Sequence, residues 1–481
     1  MDPFKQAKIR ETNARYFGMS ETKMIDNAGN ALAGKILSLI EHKNNPTVSI
    51  ICGLGNNGAD GIACAYYLIT SLAELKAKAT INIYLIGREQ ELKTEEAVYF
   101  FKKLKKLIKE SKPSATNLKI DLMQDSYAES IIPSDFIVEA LLGSGIKGGL
   151  HKRYKDVINK IARMKAYKIA IDSPVPGYKA NIVLSLITPK QKNAEILDIG
   201  LPKEVDTYIG PGLIKFLYKP PKQSHKTMNG ELLVFGGSAL FHGAPIMSIK
   251  AASKFIGSVF FYTNPENREL INKQKIELEE FISLREEDLE KYSDYSNIIL
   301  AGPGLEENMG NAAVLTYLLN KYPEKTFILD AYAIAMANPR RNPQNRRGFK
   351  NCILTPHRGE LRHIFDEAKL EGLEGKLKRL CLENKCHLVL KGHVDLLFSA
   401  NGQTIMNKNG NAGMAKGGTG DILAGIIAAL ACRNDSWEAL QAGVFLSGFA
   451  GDLAKEKYGY NFSATDLIPC LQETYKRAEE F

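Results

Sequence analysis

Along the chain, short apolar runs rich in β-branched residues alternate with longer stretches whose apolar positions recur at helical spacing. That alternation builds a parallel sheet covered by helices on both faces. In the first half the strand-like runs are residues 48–52, 80–86, 136–139, 168–172 and 182–186. A second series occupies 232–235, 298–301, 326–329, 352–354 and 387–390. Between them lies Tyr218-Lys-Pro-Pro-Lys-Gln-Ser-His225, whose adjacent prolines cannot continue a helix or a central strand. The pattern therefore predicts two α/β domains, residues 1–217 and 226–481, joined by a linker at 218–225. A chain of 481 residues fits that division at roughly 150 or more residues per domain. No internal repeat is evident, so the two halves read as different domains.

Composition narrows the class without naming a function. At 44% hydrophobic and 24% charged residues the chain is neither disordered nor fibrous. Its longest apolar stretch near the C-terminus, residues 422–432, is far short of a bilayer span of about 20 residues. Residues 1–19 mix lysines and arginines with no continuous apolar segment, so no secretory signal and a cytoplasmic protein are expected. The net charge of +9 is too diffuse to imply nucleic acid. Its densest basic run, 101–112, places Phe101, Leu104, Leu107 and Ile108 on one helical face and five lysines on the other, a solvated face. Seven scattered cysteines with no CxxC pair read as reduced, mostly buried thiols, and Cys381, Cys386 and His387 do not make a convincing metal cluster.

In the first half, the run 48–52 leads into Gly53-Leu-Gly-Asn-Asn-Gly-Ala-Asp-Gly61 and then a helical stretch at 62–71. A glycine-rich loop between strand and helix lets backbone N–H groups approach an anion at the positive end of the helix. Asn56, Asn57 and Asp60 add side chains able to hold a cation or ribose hydroxyls, at the strand edge where open α/β sheets bind ligands. Two further loops end strands on the same edge, Gly143-Ser-Gly-Ile-Lys-Gly-Gly149 and Asp172-Ser-Pro-Val-Pro-Gly177. One pocket is expected there, with Asp172 in an acid/base role.

Together with Asn27-Ala-Gly29, these motifs resemble the NAD(P)H-hydrate epimerase domain of the YjeF N-terminal family over about residues 1–202. The resemblance implies a Rossmann-like three-layer sandwich that binds NAD(P)H hydrates. Substrate residues carried over are Asn56, Asn57, Gly58, Ala59, Asp60, Gly143, Ser144, Gly145, Ile146, Lys147, Gly148, Gly149 and Lys190, with Asp172 moving a proton at C6 of the nicotinamide ring. It also implies a potassium ion (K+) at Asn57, Glu139 and Val175. This chain departs from the pattern there, because valine has no side-chain oxygen for a hard cation.

The second half carries Gly236-Gly-Ser238, Gly243-Ala-Pro245, Gly302-Pro-Gly-Leu305, Asp330-Ala331, Thr355-Pro-His-Arg-Gly-Glu360 and Lys391-Gly-His-Val-Asp395, each at or just after a strand end. The most telling segment is Gly417-Gly-Thr-Gly-Asp421, running straight into an apolar helix. Its N–H groups and the helix dipole favour a phosphoryl group, and Asp421 beside them can take a proton from a hydroxyl. In this order the motifs resemble the ribokinase-like ADP-dependent NAD(P)H-hydrate dehydratases, from about residue 224 onward. That resemblance implies a C-terminal ribokinase-like three-layer sandwich with Asp421 as catalytic base. It places Ala244, Gly304 and His357 against the hydrate, and Lys391, Gly392, His393, Val394, Asp395, Gly417, Gly418, Thr419 and Gly420 around ADP, with Mg2+. A homo-oligomer without nucleic-acid or membrane partners is expected. The alternative weighed against this is a ribokinase-like small-molecule kinase carrying a non-catalytic N-terminal binding module.

Overall fold

The structure is a computed structural model that describes residues 2–110, 118–143, 149–274, 280–365 and 372–481. The predicted substrate residues Ser144, Gly145, Ile146, Lys147 and Gly148 lie outside the described residues. The chain divides into two compact units, one ending at Val205 and the other beginning at Asp206. The division falls ahead of the double proline, because the short helix Pro211–Phe216 buries Leu213 and Ile214 and packs on helices Ser436–Tyr458 and Leu467–Glu480 of the second unit.

The first unit is a seven-stranded, wholly parallel sheet. Its strands are β1 (Thr47–Cys52), β2 (Ala79–Leu85), β3 (Leu118–Met123), β4 (Phe136–Ala140), β5 (Tyr167–Ile171), β6 (Ile182–Ser185) and β7 (Glu195–Ile196), in the order β3-β2-β1-β4-β5-β6-β7. The chain leaves β1 toward one edge through β2 and returns through β4 toward the other. The β1/β4 junction is therefore the switch point, where a crevice opens at the strand exits. Helix Glu21–Ile40 starts where the Ser20 hydroxyl accepts the Lys23 N–H and buries Ile25, Ala28, Leu32 and Ile36 on one stripe. It crosses helix Asn56–Glu74 so closely that a side chain at Gly29 would collide with Ala63. The Asn27-Ala-Gly29 signature is thus a packing device, and the Asn27 amide ties the helix to the Ile199 carbonyl at 2.8 Å.

The second unit is a nine-stranded sheet: β8 (Glu231–Phe235), β9 (Ser258–Tyr262), β10 (Ile282–Ser283), β11 (Ile298–Ala301), β12 (Thr326–Leu329), β13 (Cys352–Leu354), β14 (His387–Leu390), β15 (Asp395–Phe398) and β16 (Thr404–Asn407), in the order β10-β9-β8-β11-β12-β13-β14-β15-β16. It is parallel except for the β14-β15-β16 meander. Its switch point is β8/β11. Beyond its first turn, helix Thr419–Ala431 is apolar on all sides and buried from Ile422 to Ala431, so neighbours must come close. Helix Gly243–Ala252 does so at Gly425, where a Cβ would overlap the Ser248 carbonyl. The sequence pattern missed β3, β9, the two-residue strands β7 and β10, and the β15–β16 hairpin. Residues Leu118–Met123 are only partly buried, which dilutes their apolar signal.

The lysine-rich run lies on helix Glu95–Glu110, which buries Phe100, Phe101 and Leu104 and leaves Lys102 and Lys106 in solvent, as expected of a solvated face. All seven cysteines are free and buried. Among the described residues no helix is long and apolar enough to cross a membrane.

Two glycines give opposite stability outcomes. Gly425→Ala forces the two helices apart and should cost its unit about 2 kcal/mol or more. Gly34→Ala, exposed in helix Glu21–Ile40 with nothing within 4 Å of the added methyl, should gain about 0.5 kcal/mol. Urea midpoints of the two variants check both signs.

Candidate active sites

In the first unit the predicted loops converge. Strand β1 ends at Cys52, and only Gly53 to Gly55 form the loop. Asn56 and Asn57 already belong to the first turn of helix Asn56–Glu74, correcting the expected helix start at 62. The helix begins early because extended Gly55 is its N-cap, with no side-chain cap, which leaves the first N–H groups facing the crevice. Gly58 meets the Gly53 carbonyl, and Ala59 is buried in the core, so its methyl touches no ligand. Asn56 is exposed and donates to Glu21 at 2.7 Å. Asn57 is only 7% exposed, and neither its amide oxygen nor its nitrogen has a hydrogen-bond partner among the described residues. A buried amide in that state is costly. It faces the crevice: a Cβ on Gly143 would lie 3.6 Å from the Asn57 Cβ and 3.9 Å from Asp172 Oδ2. Gly149 lies exposed beyond the undescribed stretch.

Asp172 ends β5 with φ of +64°, a left-handed conformation that aspartate tolerates better than most residues and that is concentrated at functional sites. The Lys190 ammonium donates to Asp172 Oδ2, and the lysine side chain is only 3% exposed. Lys190 is therefore the partner of Asp172, not an open ammonium awaiting substrate.

The potassium set does not fit a cation. Glu139 is fully buried, with Oε1 accepting the Leu141 N–H at 2.8 Å and Oε2 the Val175 N–H at 3.1 Å. Burial pushes its carboxyl up to about 7. The Val175 side chain sits in an apolar cluster with Ile137, Val157 and Tyr178. Position 175 thus brings a backbone donor where a ligand oxygen would be needed, and Glu139 already serves as the staple between two loops.

In the second unit one ammonium organises the site. Lys391, at the exit of β14, donates to Asp330 Oδ1 at 2.9 Å and lies 3.8 Å from Glu360 Oε2. Thr355 donates to the same Asp330 oxygen at 2.6 Å. A Cβ on Gly420 would be 3.3 Å from the Lys391 ammonium, so the glycine-rich turn crosses directly over it. Burial lowers the affinity of Lys391 for its proton, but Asp330 and Glu360 outweigh this and raise it. Asp421 stands in the first turn of helix Thr419–Ala431, its carboxyl pushed up to about 6 by burial and then by the charge of Asp330. The Ser248 hydroxyl donates to the Asp421 carbonyl at 2.7 Å, fixing that turn against helix Gly243–Ala252. Ala244, on the same helix, faces Gly304: a Cβ on that glycine would lie 3.2 Å from the Ala244 Cβ. His357 is exposed, and its Nδ1 accepts the Gly359 N–H at 2.9 Å, capping a short helix.

Beside Asp421 opens a cavity of about 370 Å³ lined by Lys391, Gly392, His393, Asp395, Thr419 and Gly420, all predicted for nucleotide. Val394, Gly417 and Gly418 do not line it. Its far wall, Asn409 to Asn411 with Val444 and Ser447, was missed because it comes from the hairpin end and from mid-helix, where no motif marks it. Asp330 and Glu360 were visible in their motifs but were given no role. Their importance depends on Lys391 arriving from a strand exit 61 residues after Asp330.

Lys391→Met removes the cation from a nearly buried Asp330 and should destabilise the second unit by about 3 kcal/mol in urea unfolding.

Comparison with known proteins finds relatives for both units. A family model described as YjeF-related protein N-terminus matches residues 21–191, and one described as NAD(P)H-hydrate dehydratase matches 232–473. A bifunctional NAD(P)H-hydrate repair enzyme of Methanocaldococcus jannaschii is 31% identical over 98% of this chain and 93% of its own length. One of Archaeoglobus fulgidus is 30% identical over 99% of both chains. Among solved structures, an ADP/ATP-dependent NAD(P)H-hydrate dehydratase from Bacillus subtilis, co-crystallised with ATP and Mg2+, is 26% identical, covering 57% of this chain and 99% of that one with a TM-score of 0.50. A ribokinase-like superfamily protein from Enterococcus faecalis, also 26% identical, covers 57% and 97% with a TM-score of 0.52.

Proposed function

The chain belongs to the family of bifunctional NAD(P)H-hydrate repair enzymes, and from that premise we propose that its first unit interconverts the R and S hydrates of NADH and NADPH while its second dehydrates the S hydrate with ADP. The observation that carries the second activity is Asp421, a carboxyl of raised proton affinity at the N-terminus of an enclosed helix, one residue from the glycine that passes over Lys391. ADP would occupy the cavity beside it, with its phosphates against Lys391 and the N–H groups of the Gly417–Asp421 turn. The hydrate would approach from Ala244, Gly304 and His357. Asp421 takes the proton of the C6 hydroxyl as its oxygen attacks the terminal phosphoryl and AMP leaves; phosphate then departs from C6 with the C–O electron pair, and loss of a C5 proton to solvent forms the C5=C6 bond of the dihydronicotinamide.

Magnesium suits this site, because it is commonly held by one or two carboxylates plus phosphate oxygens. Glu360 and Asp330 would hold it, and it would neutralise charge on the transferring group. Lys391 positions those carboxylates and offsets part of their repulsion of Asp421.

A base must be ionised to work, so dehydration should slow as pH falls through the Asp421 value of about 6. Asp421→Asn should lose about 1,000-fold in rate together with that acid limb. Both are read as recovery of dihydronicotinamide absorbance from S hydrate and ADP. An Asn variant as fast as the wild-type chain would remove Asp421 from the chemistry.

A further inference from the structure

The first unit holds a second carboxyl whose environment differs sharply from that of Asp172. Asp60 lies one helical turn beyond Asn57 on helix Asn56–Glu74, on the same helix face, and is half-buried. Among the described residues it receives no hydrogen bond and forms no ion pair. The charges facing it are Asp172 and Lys190 from the exits of β5 and β6, and Glu11 and Lys8 from helix Pro3–Tyr16. Both cations are engaged elsewhere, Lys190 on Asp172 and Lys8 on Glu11 at 2.5 Å. Among the described residues Asp60 therefore meets two carboxylates and no uncommitted cation. Burial first, then those two charges, push its carboxyl well above the ordinary range. One crevice thus contains a carboxylate held by an ammonium and, beside it, a carboxyl with no such partner among the described residues, whose hold on its proton is strengthened. Two carboxyls whose environments push them apart are the usual basis of an acid and base pair.

We propose that Asp60 is the acid and Asp172 the base of the first unit, a pair that inverts C6 of the hydrate by exchanging its hydroxyl between the two faces of the ring. This rests on the epimerase reading. Asp60 gives its proton to the C6 hydroxyl. The C6–O bond breaks with its electron pair on oxygen, water leaves, and the N1 lone pair forms a cationic N1=C6 bond. A water on the opposite face supplies the pair for a new C6–O bond, the N1=C6 pair returns to nitrogen, and Asp172 takes the proton of that water. One water has left and one has entered, and one proton has passed from Asp60 to Asp172. The reverse direction exchanges the roles. No oxidant or further reactant is needed, and the site works while two carboxyls share a single proton.

The test is exchange between purified R and S hydrates on the full chain without nucleotide, followed by chromatography above the enzyme-free rate. For the wild-type chain a bell-shaped pH profile is expected, falling at high pH when Asp60 ionises. Asp60→Asn should slow exchange at least 100-fold and abolish the alkaline limb, with hydrate affinity within a few-fold of wild type and an unchanged melting temperature. Asp60→Glu should retain a bell with its alkaline limb displaced. Near-normal exchange in Asp60→Asn, or a wild-type profile flat at its alkaline end, overturns the proposal while leaving the epimerase reading standing. The flat profile decides even if Asp60→Asn does not fold. A wild-type chain with no exchange overturns both.

Discussion

Both units depend on one close approach. At each switch point two neighbouring parallel strands send their exit loops in opposite directions, and the loops leave the sheet with backbone against backbone. In the first unit a Cβ on Gly53 would collide with the Leu141 carbonyl, and in the second a Cβ on Gly236 would lie 2.5 Å from the Pro303 carbonyl. The Gly53 and Gly237 N–H groups then bond across the gap, to Ala140 at 3.0 Å and Pro303 at 2.8 Å. With any side chain at these glycines the loops would splay, and the residues they carry would lose their mutual distances. The switch point is a crevice by topology, but these contacts make it a site of fixed dimensions.

The two sites share an electrical plan although their chemistry differs. Each places a carboxylate at a strand exit against one buried lysine: Asp172 with Lys190, and Asp330 with Lys391. Each exit has a left-handed residue, Asp172 itself at φ +64° and Ala331 at +48°. Each then sets another carboxyl in the opening turns of a neighbouring helix, Asp60 and Asp421, where burial raises its hold on a proton. The lysine holds one carboxylate in place, and the charge of that carboxylate adds to burial in strengthening the second carboxyl's hold on a proton.

Much of this was legible in the sequence, for identifiable reasons. The strands Ile298–Ala301, Thr326–Leu329, Cys352–Leu354 and His387–Leu390 appear at the bounds expected, because both faces are buried and the apolar run ends where the strand does. The glycine loops and the two aspartates proposed as catalytic, Asp172 and Asp421, were visible because each motif is contiguous. Side-chain direction was not. Ala59 points into the core and Lys190 onto Asp172, while Val175 turns into an apolar cluster, since helix phase and loop path decide these. The environments of Asp60 and Asp330 were hidden too, because each depends on partners brought in from distant strand exits or another helix. The linker was placed late for a related reason: prolines mark where chain cannot be helix or central strand, whereas the unit boundary is set by where Leu213 and Ile214 are buried.

The central claim is that both units act in sequence on one pool of damaged cofactor. The most direct measurement is the recovery of dihydronicotinamide absorbance when the full chain and ADP are given an equal mixture of R and S hydrates. The account requires rapid recovery of the whole mixture, at a rate that continues to rise with enzyme concentration beyond the S half. Rapid recovery that stops at the S half, with the remainder returning at the enzyme-free rate, would contradict it.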